Sequence, residues 1–126
     1  MAIAQNIEEA IQDSRKILDW PDDWDGEGSK TFGESTWSRA VNWLREATVA
    51  LHKRHELWVD PPQILPASEG SIDIYWKTSK SELLINFPEN PEESVEYYGC
   101  GNQKDTVRGK LDVSQSGEWL LAWLMQ

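Results

Sequence analysis

The spacing of apolar residues changes once along this chain, and that change constrains the fold more than any other feature. Through residue 55, apolar side chains recur every three or four positions, the spacing of one face of an α-helix. From Ile64 onward they alternate with polar side chains, the spacing of a half-buried β-strand. Helices followed by a run of consecutive strands predict a two-layer α+β fold.

The same pattern predicts the individual elements. Two N-terminal helices are expected over residues 2–18 and 34–55, each with acidic residues early and basic residues late, as the helix dipole favours. Four strands are expected as an antiparallel meander beneath the helices, over residues 71–76, 82–87, 94–99 and 106–113. A last helix, which Ser114 or Ser116 would cap, places Trp119, Leu120, Trp123 and Leu124 on its apolar face.

Length and composition predict one acidic, cytoplasmic domain over residues 1–126. Cys100 is the only cysteine, which suits a reducing compartment, and neither a signal peptide nor a membrane-spanning apolar run is expected. The net charge of −10 repels phosphate backbones, so direct binding of nucleic acid is not expected. The same charge attracts basic protein surfaces.

The stretch "DWPDDWDGEG", residues 19–28, combines five carboxylates with two tryptophans and raises the question of a calcium site. If Gly26 is the invariant turn glycine of a calcium loop, Asp23 and Asp25 occupy ligand positions. The first and twelfth positions are then Pro21 and Phe32, neither of which offers a side-chain oxygen. The regular calcium spacing therefore fails, although a looser arrangement of the same carboxylates stays open.

Two further interpretations of this stretch fit better. In one, the two indole rings pack on the core while the carboxylates stay in water. In the other, rings and carboxylates together form an exposed anionic surface that binds a basic protein partner. The residues predicted to bind that partner are Asp22, Asp23, Trp24, Asp25, Glu27, Glu92, Glu93 and Glu96.

No catalytic or metal-binding set emerges from the remaining residues. His52 and His55 are three positions apart at a helix end, where the dipole explains them, and two imidazoles alone do not make a zinc site. Cys100 lacks a neighbouring base in the sequence. We expect neither enzyme activity nor a bound metal or cofactor.

The segments "DWDGEGS", "PPQILPASEGSIDIYW", "LLINF" and "VEYYG" resemble a group of small bacterial proteins with a D-W-D-G-x-G-A loop and a later G-I-x-x-x-W strand. The resemblance covers about residues 15–124, with Ser29 in place of the usual alanine and Ser71 at the small position before Ile72. It implies an association with mobile elements, phage or toxin–antitoxin loci. It transfers no catalytic residue.

These observations predict a non-enzymatic, acidic protein-interaction module of the antitoxin, immunity or anti-defence kind. The alternative is a domain that binds a small ligand or calcium through residues 19–28. A third interpretation is a homodimer formed through the sheet.

Overall fold

The computed structural model describes residues 5–16, 33–102, 104–115 and 117–125. The α-helices and β-strands in this part of the chain follow one another as α1 (Gln5–Ser14), α2 (Glu34–His55), β1 (Gln63–Pro66), β2 (Ile72–Lys77), β3 (Ser81–Phe87), β4 (Val95–Gly101), β5 (Lys104–Leu111) and α3 (Glu118–Leu124). The five strands pair in chain order, each antiparallel to the next. The fold is α+β, as predicted.

The long helix α2 covers the sheet, and its sequence explains where it ends. Its buried residues recur at helical spacing and are Thr36, Trp37, Ala40, Val41, Trp43, Leu44, Ala47, Thr48 and Leu51. Its last turn is basic, which favours the carbonyl end of the helix dipole. Glu56 then adopts a left-handed conformation with φ 56°, and its N–H donates to the His52 carbonyl at 2.8 Å. Its predicted span, 34–55, is confirmed.

The alternation of the strands gives the sheet an inner and an outer face. Ile74 pairs with Ile85, and Trp76 with Leu83, so that their side chains point to the same side. The buried apolar residues of the inner face include Ile72, Ile74, Trp76, Leu83, Ile85, Phe87, Val95 and Leu111. The helices α2 and α3 contact the strands on this side. The core therefore lies between one layer of helices and one face of the sheet.

Trp43 packs between the helices and the sheet, and its ring limits how closely the start of α3 can approach it. Its ring lies edge-on to Trp76, with centroids 6.5 Å apart, and tilted against Phe87 at 6.2 Å. Its Nε1 is buried and has no hydrogen-bond acceptor among the described residues. A Cβ at Gly117 would lie 2.7 Å from this nitrogen, and Gly117 has φ 67°. Glycine is thus required at the start of α3 both for conformation and for space.

α1 is fastened to α2 by a buried polar relay and by an ion pair. Trp37 Nε1 donates to Ser14 Oγ at 2.7 Å, and Ser14 Oγ donates to the Ile11 carbonyl at 2.6 Å. Arg45 makes two hydrogen bonds to the carboxylate of Glu8, the shorter of 2.7 Å. The relay satisfies the polar atoms that this contact buries, which is the condition for burying them at low cost.

α3 is held against β3, β4 and β5 by contacts at its carboxyl end. A Cβ at Gly99 would lie 2.8 Å from the Trp123 ring, so this glycine leaves the space in which the ring rests. Lys104 Nζ donates to the Trp123 carbonyl at 2.7 Å and lies 4.1 Å from its ring centroid. Ser81 Oγ donates to the Leu124 carbonyl at 3.0 Å. Two side chains thereby satisfy carbonyls that the helix end leaves open.

The structure corrects the prediction in four details. The first helix, predicted over 2–18, ends at Ser14, and residues 2–4, 17 and 18 lie outside the described residues. The sheet has five strands, not four, because β1 is a separate edge strand of four residues that ends at Pro66. The strand predicted over 106–113 runs from Lys104 to Leu111. Ser114 does not cap α3, since its hydroxyl donates to Asp112 Oδ1, and Ser116 lies outside the described residues. The N-cap position before Glu118 is Gly117, which provides no side-chain cap. Among the described residues, no helix has the length and apolar character needed to cross a membrane.

Replacement of Gly99 by alanine tests the fit between α3 and the sheet. The new methyl group would overlap the Trp123 ring, so we expect Gly99→Ala to lower the free energy of unfolding by about 1–3 kcal/mol. Urea denaturation would measure this. In a Trp123→Leu background the same substitution should cost less, and an equal cost in both backgrounds would contradict the contact.

The Glu8–Arg45 pair predicts a pH dependence of stability. The hydrogen bond from Arg45 lowers the pKa of Glu8 in the folded chain. The pair therefore stabilises the fold above the unfolded-state pKa, and this contribution is lost as the pH falls through the folded-state pKa. We expect Glu8→Gln to lower the free energy of unfolding at neutral pH by less than about 1 kcal/mol, because both side chains are partly exposed. In acid the difference should vanish, whereas Asp13→Asn, on the exposed side of α1, should show little difference at either pH.

Candidate functional site

The outer face of the sheet carries an unusual mixture of aromatic, apolar and charged side chains. The strand registers align Tyr75, Leu84, Tyr98 and Arg108 in one row across β2 to β5. The adjacent row consists of Asp73, Asn86, Glu96 and Lys110. We call these eight residues the outer-face surface. Because α2 and α3 pack on the inner face, neither of these helices covers it.

A shallow depression of about 500 Å³ lies on this surface, over β3, β4 and β5. Its lining includes Leu84, Asn86, Glu96, Tyr98, Arg108 and Lys110. Tyr98 is 49% exposed, although tyrosine is a large ring that a sheet normally buries in part. Tyrosine and arginine are among the residue types enriched where proteins contact one another.

One side of the surface contains a half-buried carboxylate. Asn86 Nδ2 donates to Asp73 Oδ1 at 2.7 Å and lies 3.2 Å from Ser71 Oγ. Burial raises the pKa of the Asp73 carboxyl, and the hydrogen bond from Asn86 offsets part of that rise. The cross-strand pair fixes both side chains in one orientation, so this part of the surface is preformed.

The turn between β3 and β4 carries the acidic residues Glu89, Glu92 and Glu93, all exposed. It is anchored to the helical layer, because Arg39 donates to the carbonyls of Pro88 and Glu89, the latter at 3.2 Å. Within the turn, the N–H of Glu92 donates to Asn90 Oδ1 at 2.9 Å. We call residues 88–94 the acidic turn. Its carboxylates are exposed, but its backbone is held in place.

The structure brings three of the predicted partner-binding residues to the same end of the sheet. Glu92 and Glu93 lie in the acidic turn, and Glu96 lies two residues after it on the outer face. The other predicted residues, Asp22, Asp23, Trp24, Asp25 and Glu27, lie outside the described residues. The two interpretations of residues 19–28, as a core-anchored segment or as a calcium loop, stay predictions for the same reason.

The residues predicted from the sequence to form a site do not include Tyr75, Leu84, Tyr98 or Arg108. A signal was present, since Tyr75 and Tyr98 occupy the polar side of alternating strands, where a large ring has no core to enter. Their alignment depends on the register between strands, which one sequence does not specify.

The sheet separates the residues considered for nucleophilic catalysis. Cys100 pairs with Glu82 and is on the outer side by strand alternation, whereas His52 and His55 belong to α2 in the helical layer. His52 stacks on Trp58, with ring centroids 4.1 Å apart. In the described ranges no three histidine, cysteine or carboxylate side chains are grouped as metal ligands would be.

Comparison with known proteins adds no assignment. No protein-family model, no curated protein and no solved structure matches the chain. The site must therefore be interpreted from its own geometry and charge.

Asp73 offers a test of the half-buried part of the surface. Because its pKa is raised in the folded chain, the protonated carboxyl stabilises the fold relative to the unfolded state. This stabilisation is lost as the pH rises through the folded-state pKa. We expect Asp73→Asn to raise the free energy of unfolding at neutral pH by less than about 1 kcal/mol, because the group is partly exposed.

Chemical denaturation at several pH values would measure this difference, which should close in acid as the carboxyl of the parent chain takes up its proton. Asp105→Asn, an exposed carboxylate on β5, is the control and should change stability little at any pH. A variant less stable than the parent at neutral pH would contradict the interpretation.

Proposed function

We propose that this chain is a non-enzymatic protein-interaction module that binds a basic protein through the outer-face surface and the acidic turn. The observation that carries the proposal is Tyr98, half exposed on a sheet face that α2 and α3 leave uncovered. Such a ring gains contact area on binding at low entropic cost, because only two torsions need to be fixed. Leu84 and Tyr75 beside it extend the apolar area.

Charge supports a basic partner. The chain carries 22 acidic and 12 basic residues, and the acidic turn adds three exposed carboxylates shortly before Glu96 in the sequence. A field of this sign accelerates the encounter with a basic surface and rejects acidic ones. Asp22, Asp23, Asp25 and Glu27 would add to that field, and Trp24 would provide a further ring for contact.

The resemblance to small bacterial proteins associated with mobile elements favours a particular kind of module. Antitoxins, immunity proteins and anti-defence proteins act by occupying a surface of another protein, and need no catalytic groups of their own. We propose that this chain belongs to that functional kind and neutralises or regulates a basic effector.

A rival proposal is a small ligand in the depression on the outer face. Its volume of about 500 Å³ lies within the range of ligand sites, which are about 300–1,000 Å³.

Calorimetry with calcium would separately test the predicted cation site in residues 19–28. Heat at micromolar calcium would favour that site over the partner proposal.

Site-directed photo-crosslinking tests the position of the partner surface. A photo-reactive phenylalanine analogue at position 98 should form a discrete adduct with a host protein, which mass spectrometry would identify. The same analogue at Asn42, exposed on α2, is the control. No adduct at position 98, or the same adduct at both positions, would contradict the proposal.

Association kinetics with the purified partner test the role of charge. The triple substitution Glu92→Lys, Glu93→Lys and Glu96→Lys should reduce the on-rate about tenfold at low salt and flatten its dependence on salt. The matched control reverses three exposed carboxylates elsewhere, by Asp13→Lys, Glu46→Lys and Asp60→Lys. Because both variants change the net charge equally, an equal effect of the two would show that the acidic turn has no special role.

A further inference from the structure

The two edges of the sheet differ in their capacity to accept another strand. β1 has four residues, ends at Pro66, which has no N–H, and is contacted by α1. β5 has eight residues without proline, and among the described residues it pairs only with β4. Alternate N–H and C=O groups of β5 therefore point away from the sheet.

On the inner side of the sheet, next to this edge, two aromatic side chains are only partly covered. Trp119 is 50% exposed and stands edge-on to Tyr97, with ring centroids 5.5 Å apart. Val107 is only partly buried, and Gly109 is exposed. A Cβ at Gly109 would lie 3.0 Å from the Tyr97 hydroxyl, so the ring extends over β5 toward the edge. A strand added at β5 would bury this apolar area under its own inward side chains.

The charge of β5 is opposite to that of the chain as a whole. It carries Lys104, Arg108 and Lys110 against Asp105 alone, within a chain of net charge −10. Lys104 is engaged by Trp123, whereas Arg108 and Lys110 are exposed on the outer side. The edge thus offers cations on one face and apolar surface on the other.

This charge disfavours a second copy of the chain as the added strand. An antiparallel copy of β5 would set Arg108 opposite Arg108 in one register and opposite Lys110 in the next, because directly opposed residues share a face. Like charges in such positions are destabilising, whereas carboxylates there would be attracted.

We propose that the edge of β5 binds an extended segment of another protein in which carboxylates alternate with apolar side chains. The segment adds a sixth strand, pairs its carboxylates with Arg108 and Lys110, and places its apolar residues over Val107 and against Trp119. This is recognition by strand addition, with affinity from backbone hydrogen bonds and selectivity from alternate side chains. It does not rest on the basic partner proposed above, although Arg108 and Lys110 also belong to the outer-face surface.

A model peptide tests the proposal without a known partner. The probe is a blocked peptide of about seven residues, the length of a strand, that alternates Glu and Val. Binding should shift the backbone amide NMR signals of residues 104–111, slow their hydrogen exchange and shift the indole N–H signal of Trp119. The same peptide with alternate backbone nitrogens methylated should not bind, because it lacks the donors of the ladder.

Charge reversal then separates this edge from a general effect of net charge. Arg108→Glu with Lys110→Glu should weaken binding of the Glu–Val peptide at least about tenfold, and should improve binding of a Lys–Val peptide. Lys16→Glu with Lys53→Glu changes the net charge equally at two exposed sites, one next to α1 and one on α2, and should change affinity less than about twofold.

Three results would overturn the proposal. The first is the absence of any shift in residues 104–111 at about millimolar peptide. The second is equal binding of the Glu–Val and Lys–Val peptides to the parent chain. The third is a concentration-dependent dimer that the β5 double variant abolishes, since a second copy would then be the occupant. The outcome of photo-crosslinking at position 98 decides none of these three results, so the two proposals can fail separately.

Discussion

In the part of the chain that the structure describes, the helices cover only one face of the sheet, and most other features of the molecule follow from that constraint. A five-stranded antiparallel sheet has two faces, and the apolar residues of this one point to the side on which α2 and α3 lie. Trp43 against Trp76 and Phe87 fills the space between the layers. Antiparallel sheets tolerate one uncovered face when its residues are polar, as charged and amide side chains here largely are.

The outer face of the sheet differs from an ordinary solvent-exposed face because it carries exposed aromatic rings. A solvated face needs no exposed tyrosine, and Tyr98 adds no buried area to the core. Its neighbours are held in register by the ladder, and Asn86 orients Asp73. This combination of rigid support and exposed apolar area is what favours a binding role over a purely structural one.

The fold was largely predictable because its signals are local. The span of α2 followed from helical spacing and from the basic last turn, both of which can be read within the helix itself. β1 was missed because four residues that include Pro66 are too few to show alternation. The start of α3 was assigned to a serine cap, whereas the determinant is space beside Trp43, a residue far away in sequence, which only Gly117 allows. A need for space beside a residue far away in the chain produces no periodic pattern in the sequence.

The site was predictable only in part, because much of it depends on which distant residues the fold brings together. Glu92, Glu93 and Glu96 stand out as a cluster in the sequence, and the structure keeps them at one end of the sheet. The row from Tyr75 to Arg108 joins residues of four strands, and its existence depends on three separate registers. The raised pKa of Asp73 likewise depends on a burial that its neighbours in sequence do not reveal.

The bonds from Arg39 to the acidic turn have a consequence for how binding would proceed. A free turn loses backbone freedom when a partner orders it, at about 1–2 kcal/mol per residue. Because a guanidinium from α2 already holds two of its carbonyls, folding itself has met much of that cost. Association at this end of the molecule would then resemble the docking of two rigid bodies, with little structural adjustment after the first encounter.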